Sequence, residues 1–411
     1  MTDRLYYQDS FLYDFDAEIR AVANEPRPAL ILDRTAFYPT SGGQIHDTGW
    51  VSPQTPGANS NARFRVTEVA DTEDGHVVHY LEAPVKDLQP GTRVHGEIDA
   101  ARRRDHMQQH SAQHVISAAF VKWFDMPTVS FHMAADYCSI DLDTQSLTKD
   151  QVEAAERAAN EIVLENRVVD IRFVGREEAV TLGLRKLPPA ERDRLRLIDI
   201  RDVDLSACGG THVSHTGQIG AILLRKFERV RQGYRVEFVA GQRAVTVARR
   251  DFTALSEAGA SFSAHIYDVP EQVRKGLDEI KSLHKQNGNL LEELAAAQAS
   301  ALLAECAETN GSKLITRVLT DRDMNFVKLL AQKLTRLANN VVALLASESP
   351  LPVIVFAQSA GQPHDMGALL KETVAQLGGR GGGSKDLAQG GVPKGDTLKA
   401  AIEAVAQKIA Q

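Results

Sequence analysis

His106-Met107-Gln108-Gln109-His110-Ser111-Ala112-Gln113-His114 and, far downstream, Cys208-Gly209-Gly210-Thr211-His212 are the stretches on which the reading of this chain turns. Histidines at i and i+4 on a helix project from one face, about one turn apart. Two imidazole nitrogens at that spacing reach one small cation. A thiolate and a third imidazole from a distant segment complete a mixed Cys/His set, which zinc prefers. Three histidines at i, i+4 and i+8 do not all reach one ion, because the face drifts about 20° per heptad. His110 and His114 lie in the apolar part of the segment, before Val115-Ile116, whereas His106 adjoins Arg102-Arg103-Arg104-Asp105. His110 and His114 are therefore read as the ligands. His106, like His215, is read as a solvated histidine or one that backs a ligand without touching the ion. No Glu follows His110, so the zinc-protease arrangement is excluded. Three histidines and one cysteine can close a structural site, but the neighbouring glycine-rich loops suit a ligand pocket better.

Outward from these pairs, a helix is expected from about Ala101 through Phe120 or beyond. Asp136–Leu142 and Arg167–Val174 alternate like strands, and Asp150–Asn166 reads as a helix with Val152, Ala155, Ala159, Ile162 and Val163 on one side. Leu197–Ile200, Ile219–Leu224 and Arg235–Val239 are further strand candidates, and the Cys208 pair sits in a Gly-Gly turn. Upstream, Ala29–Leu32, Arg63–Val66 and His76–Leu81 are short β runs split by Gly, Pro, Asn and Asp, the punctuation of a small barrel or sandwich. Between them lies Phe37-Tyr38-Pro39-Thr40-Ser41-Gly42-Gly43-Gln44. It reads either as a tight hairpin turn or as a loop whose glycines let backbone approach a ligand.

Past Val269-Pro270 the composition shifts. Glu271–Glu308 carries Val273, Leu277, Ile280, Leu291 and Leu294 at heptad-like steps, interrupted by His284 and Asn287. A short coiled coil or helical hairpin is expected. Further on, Pro352–Phe356 reads as a buried strand flanked by helices over Phe326–Leu345 and Met366–Leu377. A final helix is expected from about Asp396. The run Gly378-Gly379-Arg380-Gly381-Gly382-Gly383-Ser384-Lys385 lacks P-loop spacing and reads as a linker.

The whole chain is 43% hydrophobic and 25% charged over 411 residues, as in soluble globular proteins of two or three domains. No N-terminal apolar region or run of about 18 apolar residues occurs, so neither secretion nor membrane spanning is expected. Three cysteines, Cys138, Cys208 and Cys306, argue for a reducing, cytoplasmic setting rather than a disulfide framework. Cys138, on an alternating run, reads as core. The net charge of −7 does not advertise nucleic acid. Local basic clusters supply the counterweight: Arg102–Arg104, Arg185-Lys186, Arg192, Arg194 and Arg196, and then Arg225, Lys226, Arg229, Arg231 and Arg235. Such charges are usually solvated, but here they crowd the metal pairs, which points to a phosphate-bearing substrate.

Together, the Phe37–Gln44 loop, the His106–His114 segment, Cys208–Val213 and Arg235-Val236-Glu237-Phe238-Val239-Ala240-Gly241 resemble the editing module of alanyl-tRNA synthetases and its freestanding AlaX-type relatives. The tail, with Asp386-Leu387-Ala388-Gln389-Gly390-Gly391, resembles the glycine-rich end of their DHH-associated domain. The resemblance spans nearly the whole chain and is to the long freestanding form. It implies an α+β protein: a β-barrel-like domain at 1–95, a zinc-containing editing domain at 96–245, a helical linker or coiled coil at 246–310, and an α/β DHH-associated-like domain at 311–411. It also implies hydrolysis of mischarged tRNA(Ala), chiefly seryl-tRNA(Ala), with glycyl-tRNA(Ala) as a second candidate. One zinc ion per chain on His110, His114, Cys208 and His212 is implied, and the C-terminal region is expected to aid homodimerisation, tRNA grip or both. Thr40, Ser41 and Gln44, by position in the glycine-rich motif, are candidates to contact the serine hydroxyl. Arg225 and Lys226 are candidates for the nucleic acid. No residue stands out as general base. The competing readings are a tRNA-binding module with a structural zinc and a zinc hydrolase of other acyl esters.

Overall fold

The computed structural model describes residues 1–54, 62–85, 88–182, 184, 194–309 and 311–411. Arg185, Lys186 and Arg192 lie outside the described residues. The chain packs into two units, Met1–Glu257 and Ala258–Gln411.

The first unit opens with a closed six-stranded barrel. Its strands are β1 (Asp14–Ala23), β2 (Ala29–Leu32), β3 (Gly49–Pro53), β4 (Phe64–Asp71), β5 (Val77–Leu81) and β6 (Arg93–Ile98). They pair antiparallel in the cyclic order β1-β2-β5-β4-β3-β6. Period-two alternation sends Phe15, Ala17 and Ile19 of β1 inward, where they meet Leu30, Leu32, Val51, Val66, Val69, Val77 and Val94. The polar side chain of His79 is sealed among them, bonded to the equally buried Thr35 Oγ1 at 2.8 Å and facing the Leu30 carbonyl at 3.2 Å.

The barrel hands over to α1 (Ala100–Phe124), whose N-cap Asp99 accepts from the Arg102 amide. Left-handed Asp125 closes its other end. Strands β7 (Thr128–Met133) and β8 (Cys138–Leu142) follow, then α2 (Lys149–Leu164), β9 (Val169–Gly175), a short α3 (Arg176–Thr181), β10 (Arg194–Ile200), β11 (Asp204–Ala207), β12 (Ile222–Val230) and β13 (Gly233–Ala240). They form a four-stranded sheet, β12-β13-β8-β7, and a three-stranded sheet, β9-β10-β11. Met107, Val115, Ile116 and Phe120 of α1 share one core with Ala155 and Ala159 of α2, Ile140 of β8, Phe238 of β13 and Ile198 of β10. Cys138 is buried there, and burial pushes its thiol up to about 12.

The joint between barrel and helix is ionic. Arg103 and Asp47 are both fully buried and paired. The guanidinium also donates to the Ser10 and Ala36 carbonyls, and Asp47 accepts from the Tyr38 amide. A desolvated charge is tolerable only when its partners are this complete. Arg103 is thus tied into the fold and is neither a solvated residue nor a phosphate contact.

Helix α4 (Gly241–Ser261) follows β13. The second unit contains α5 (Val269–Glu305), β14 (Lys313–Leu319), α6 (Met324–Leu337), β15 (Val341–Ser347), β16 (Val353–Gln358), α7 (Met366–Gln376), β17 (Arg380–Gly383), β18 (Leu387–Gly391) and α8 (Leu398–Ala410). The sheet order is β14-β15-β16-β18-β17. Residues Val341, Ala343 and Leu345 face α5 and α6, while Val342, Leu344 and Ala346 face α7 and α8.

Three expectations fail here. The segment expected to be a short coiled coil or hairpin is one continuous 37-residue helix. Asn287 and Gly288 each cost at most about 1 kcal/mol in a helix, too little to break a run this rich in Leu, Ala, Glu and Lys. Residues 341–345, expected to extend a helix, form a central strand, because an apolar run buried on both faces has no preferred period. The glycine run is an edge strand pair rather than a linker. A Cβ at Gly383 would lie 2.3 Å from the Leu387 carbonyl oxygen, so only glycine permits that approach. No helix of the described residues is long and apolar enough to cross a membrane.

Candidate metal centre

Helix α1 presents His110 and His114, and the turn after β11 presents Cys208 and His212. Their ligating atoms all lie within 4.8 Å of one another. Cys208 Sγ is 3.5 Å from His110 Nε2 and 3.3 Å from His212 Nε2. All three imidazoles are buried, and each has its Nδ1 engaged elsewhere. His114 Nδ1 meets the Asp204 carboxylate at 2.7 Å, and a carboxylate requires the imidazole to donate. His110 Nδ1 meets Gln44 Oε1 at 2.8 Å. The Thr211 amide, which can only donate, points at the same oxygen at 3.1 Å, so the amide orientation is fixed and His110 Nδ1 is the donor. His212 Nδ1 faces Ser111 Oγ at 3.2 Å. Outer partners on Nδ1 aim the Nε2 of each ring at the cluster, as in metal-binding histidines.

Electrostatics agree with a cation site. Burial alone would raise the Cys208 thiol, but His110 and His212 hold it well below its usual range. Burial opposes protonation of His114, yet Asp204 and Cys208 raise it to about 9. Burial pushes His212 down to about 3. Three neutral-capable nitrogens and one thiolate converge with their outer hydrogen bonds already made, a donor set suited to zinc.

Loop geometry explains the glycines. Ser41 and Gln44 exchange backbone hydrogen bonds at 3.0 Å across Gly42 and Gly43, both at positive φ. The segment is a tight hairpin turn, and it also delivers Gln44 to the ligands. Of the two sequence alternatives, the hairpin turn is the one the structure shows.

A cavity of about 210 Å³ lies over the cluster, lined among others by Tyr38, Ser41, His110, Cys208, Gly210 and Asp71. Tyr38 donates to the Ser41 carbonyl at 3.0 Å, and burial keeps its hydroxyl protonated. Asp71 on the rim is ion-paired with Arg4 at 2.7 Å.

The expected site residues scatter. Ser41 lines the cavity. Thr40 is exposed and bonded to His46 at 3.0 Å. Gln44 is fully buried, with both ends of its amide engaged, the nitrogen donating to Thr211 Oγ1 at 2.9 Å. It holds a ligand rather than presenting a free group to the cavity. Arg225 pairs with Asp251 at 2.8 Å and Lys226 with Glu228 at 2.6 Å; neither lines the cavity. His106 is buried, not solvated, and lies outside the cluster with Nδ1 lacking a hydrogen-bond partner among the described residues. Burial, with Arg102 and Arg243 nearby, depresses it to about 2. His215 is outside the cluster as well. Sequence reasoning missed Asp204, Ser111 and Tyr38. Ser111 and Tyr38 stand inside the quoted motifs; nothing local marks Asp204.

Three family models match: class II (A) tRNA synthetases over residues 4–102, the second additional domain of threonyl- and alanyl-tRNA synthetases over 195–236, and the DHHA1 domain over 310–411. The fold and site thus define a synthetase-related editing module. The alanyl-tRNA editing protein AlaX-L of Pyrococcus horikoshii is 30% identical over 398 residues, covering 95% of each chain. The alanine–tRNA ligase of Methanothrix thermoacetophila is 32% identical over 98% of this chain and 44% of its own; that of Archaeoglobus fulgidus is 30% identical over 95% and 42%. The chain thus spans under half the length of those ligases. The crystal structure of the C-Ala domain of Aquifex aeolicus alanyl-tRNA synthetase is 22% identical, covers 26% of this chain and 99% of its own, and has a TM-score of 0.24, too weak to bear on the fold. The chain belongs to the family of alanyl-tRNA editing proteins.

Proposed function

We propose that the protein is a trans-editing hydrolase that deacylates mischarged tRNA(Ala), chiefly seryl-tRNA(Ala) and secondarily glycyl-tRNA(Ala). The observation that carries this reading is the convergence of three outer-bonded histidines and a thiolate beneath a small polar cavity. His110, His114, Cys208 and His212 would hold one zinc ion. A bound zinc supplies a polarised ester carbonyl or an acidified water at neutral pH.

The chain's own residues do the positioning. Gln44, Asp204 and Ser111 orient the three imidazoles. The cavity, about 210 Å³, is roomy enough to admit a seryl group. A synthetase pocket rejects an extra hydroxyl poorly, whereas a second site that hydrogen-bonds the hydroxyl discriminates well, because alanine leaves its polar groups unpaired. Ser41 is the proposed hydroxyl partner, since it lines the cavity and Thr40 does not. The test is serine release from seryl-tRNA(Ala) by wild type and Cys208→Ala at equal protein folding. Wild-type turnover with loss in the variant is expected. Equal rates in both would remove the cluster from the mechanism.

A further inference from the structure

A second cavity, of about 350 Å³, abuts the first and shares Tyr7, Ala207, Cys208 and Gly209 with it. Its volume is at the lower end for small-molecule sites. Strand alternation puts Phe173, Arg194 and Arg196 on one face of the β9-β10 pair, with Phe173 opposite Arg196 in register. Val174, Leu195 and Leu197 take the other face into an apolar core. Phe173 is a large hydrophobic side chain left 41% exposed in this cavity. The Arg194 guanidinium stands 5.6 Å from its ring centre.

Arg196 is the unusual member. It is 8% exposed, and its guanidinium donates to the Tyr7 carbonyl at 2.8 Å and the Cys208 carbonyl at 2.7 Å. Its remaining nitrogen, Nη2, is buried with no hydrogen-bond partner among the described residues. Among the described residues it makes no ion pair with a carboxylate. A buried, unpaired guanidinium donor costs free energy unless a ligand acceptor completes it. An exposed aromatic face beside two arginines is the surface that single-stranded nucleotides use, the base stacking and the cations meeting phosphate or ring acceptors.

We propose that this cavity holds the terminal adenosine of a tRNA 3′ end. The purine stacks on Phe173, the Arg196 donor meets an acceptor of the nucleotide, and Arg194 faces its phosphate. Because the two cavities meet at Cys208 and Gly209, an ester on the ribose would then lie over the metal cluster. The choice of nucleotide rests on the deacylase reading; the stacking surface itself does not.

The test measures binding of the ribonucleotide trimer cytidine-cytidine-adenosine to the full chain by calorimetry, alongside seryl-tRNA(Ala) deacylation. Phe173→Ala is expected to weaken trimer binding about tenfold, the scale of one lost base stack. Phe173→Trp should retain it, and adenosine 5′-monophosphate should compete. In deacylation, Phe173→Ala should raise KM with kcat nearly unchanged. Equal trimer binding by wild type and Phe173→Ala overturns the assignment, as does equal binding of a trimer whose terminal base is absent. Phe173-dependent trimer binding without any serine release by wild type would keep the nucleotide cavity and discard the deacylase.

Discussion

Gly210→Ala isolates the metal site by steric means alone. A Cβ at Gly210 would lie 2.2 Å from His110 Cε1, 2.3 Å from His110 Nδ1 and 2.9 Å from Gln44 Oε1. Ordinary contact begins at 3.4 Å, so something must retreat by about 1.2 Å. If the imidazole moves, it leaves Gln44 and shifts Nε2 off its position. If the turn moves, it carries Cys208 and His212 with it. Either relief far exceeds the roughly 0.2 Å tolerance of zinc–ligand distances. Loss of an outer partner alone lowers metal affinity about 10–100-fold, so displacement of a ligand should cost at least ~100-fold. Gly209→Ala is the internal control, because its Cβ would meet only Tyr7 Oη at 3.6 Å and Tyr7 Cε1 at 3.7 Å. Zinc affinity is read by competition with a chromophoric chelator, and fold by circular dichroism. A folded Gly210→Ala that binds zinc like wild type, or a Gly209→Ala equally impaired, would refute the argument.

Asp204→Ala should lower zinc affinity about 10–100-fold, read by the same chelator competition, because His114 loses the carboxylate that fixes its ring. Arg103→Met strands the buried Asp47 and should cost about 3–5 kcal/mol by denaturant unfolding, whereas exposed Arg104→Met should fall within about 0.5 kcal/mol of wild type. Burial depresses His79 from 6.5 to about 4, so between those values the unfolded chain binds a proton that the folded barrel refuses. Its contribution is complete above pH 6.5 and is lost as the pH falls towards 4, about 2 kcal/mol between pH 7 and 5. Unfolding of wild type and His79→Gln at both pH values checks this; an identical pH dependence in the two would contradict it.

The His/Cys cluster was legible because its members sit in two short segments, each at a spacing that one helical turn or one tight turn enforces. The barrel was legible from alternation and turn residues. What escaped was set by long-range pairing. Asp204 reaches His114 only because β11 is antiparallel to β10. Arg103 looked like one more charge in a basic run, since a sequence does not reveal which of three arginines loses its water. Val341–Ser347 satisfies helix and strand patterns alike until the sheet buries both its faces. The glycine run has no side chains to signal a strand, and it becomes one because β18 lies beside it.

Gln44 shows why position in a motif and role in a site can separate. A polar residue beside a glycine-rich turn suggests contact with substrate, yet its oxygen is spent on His110 and the Thr211 amide. It joins the barrel loop, α1 and the Cys/His turn at a single amide. Three residues on, Asp47 clamps the same loop to α1 through Arg103. The barrel is therefore part of the candidate metal centre's scaffold: its loop reaches the helix through the buried Arg103–Asp47 pair and the Arg102 bond to the His46 carbonyl, and His110 through the Gln44 amide. Ser41 lines the cavity, while Tyr38 spends its hydroxyl on the Ser41 carbonyl and braces the turn.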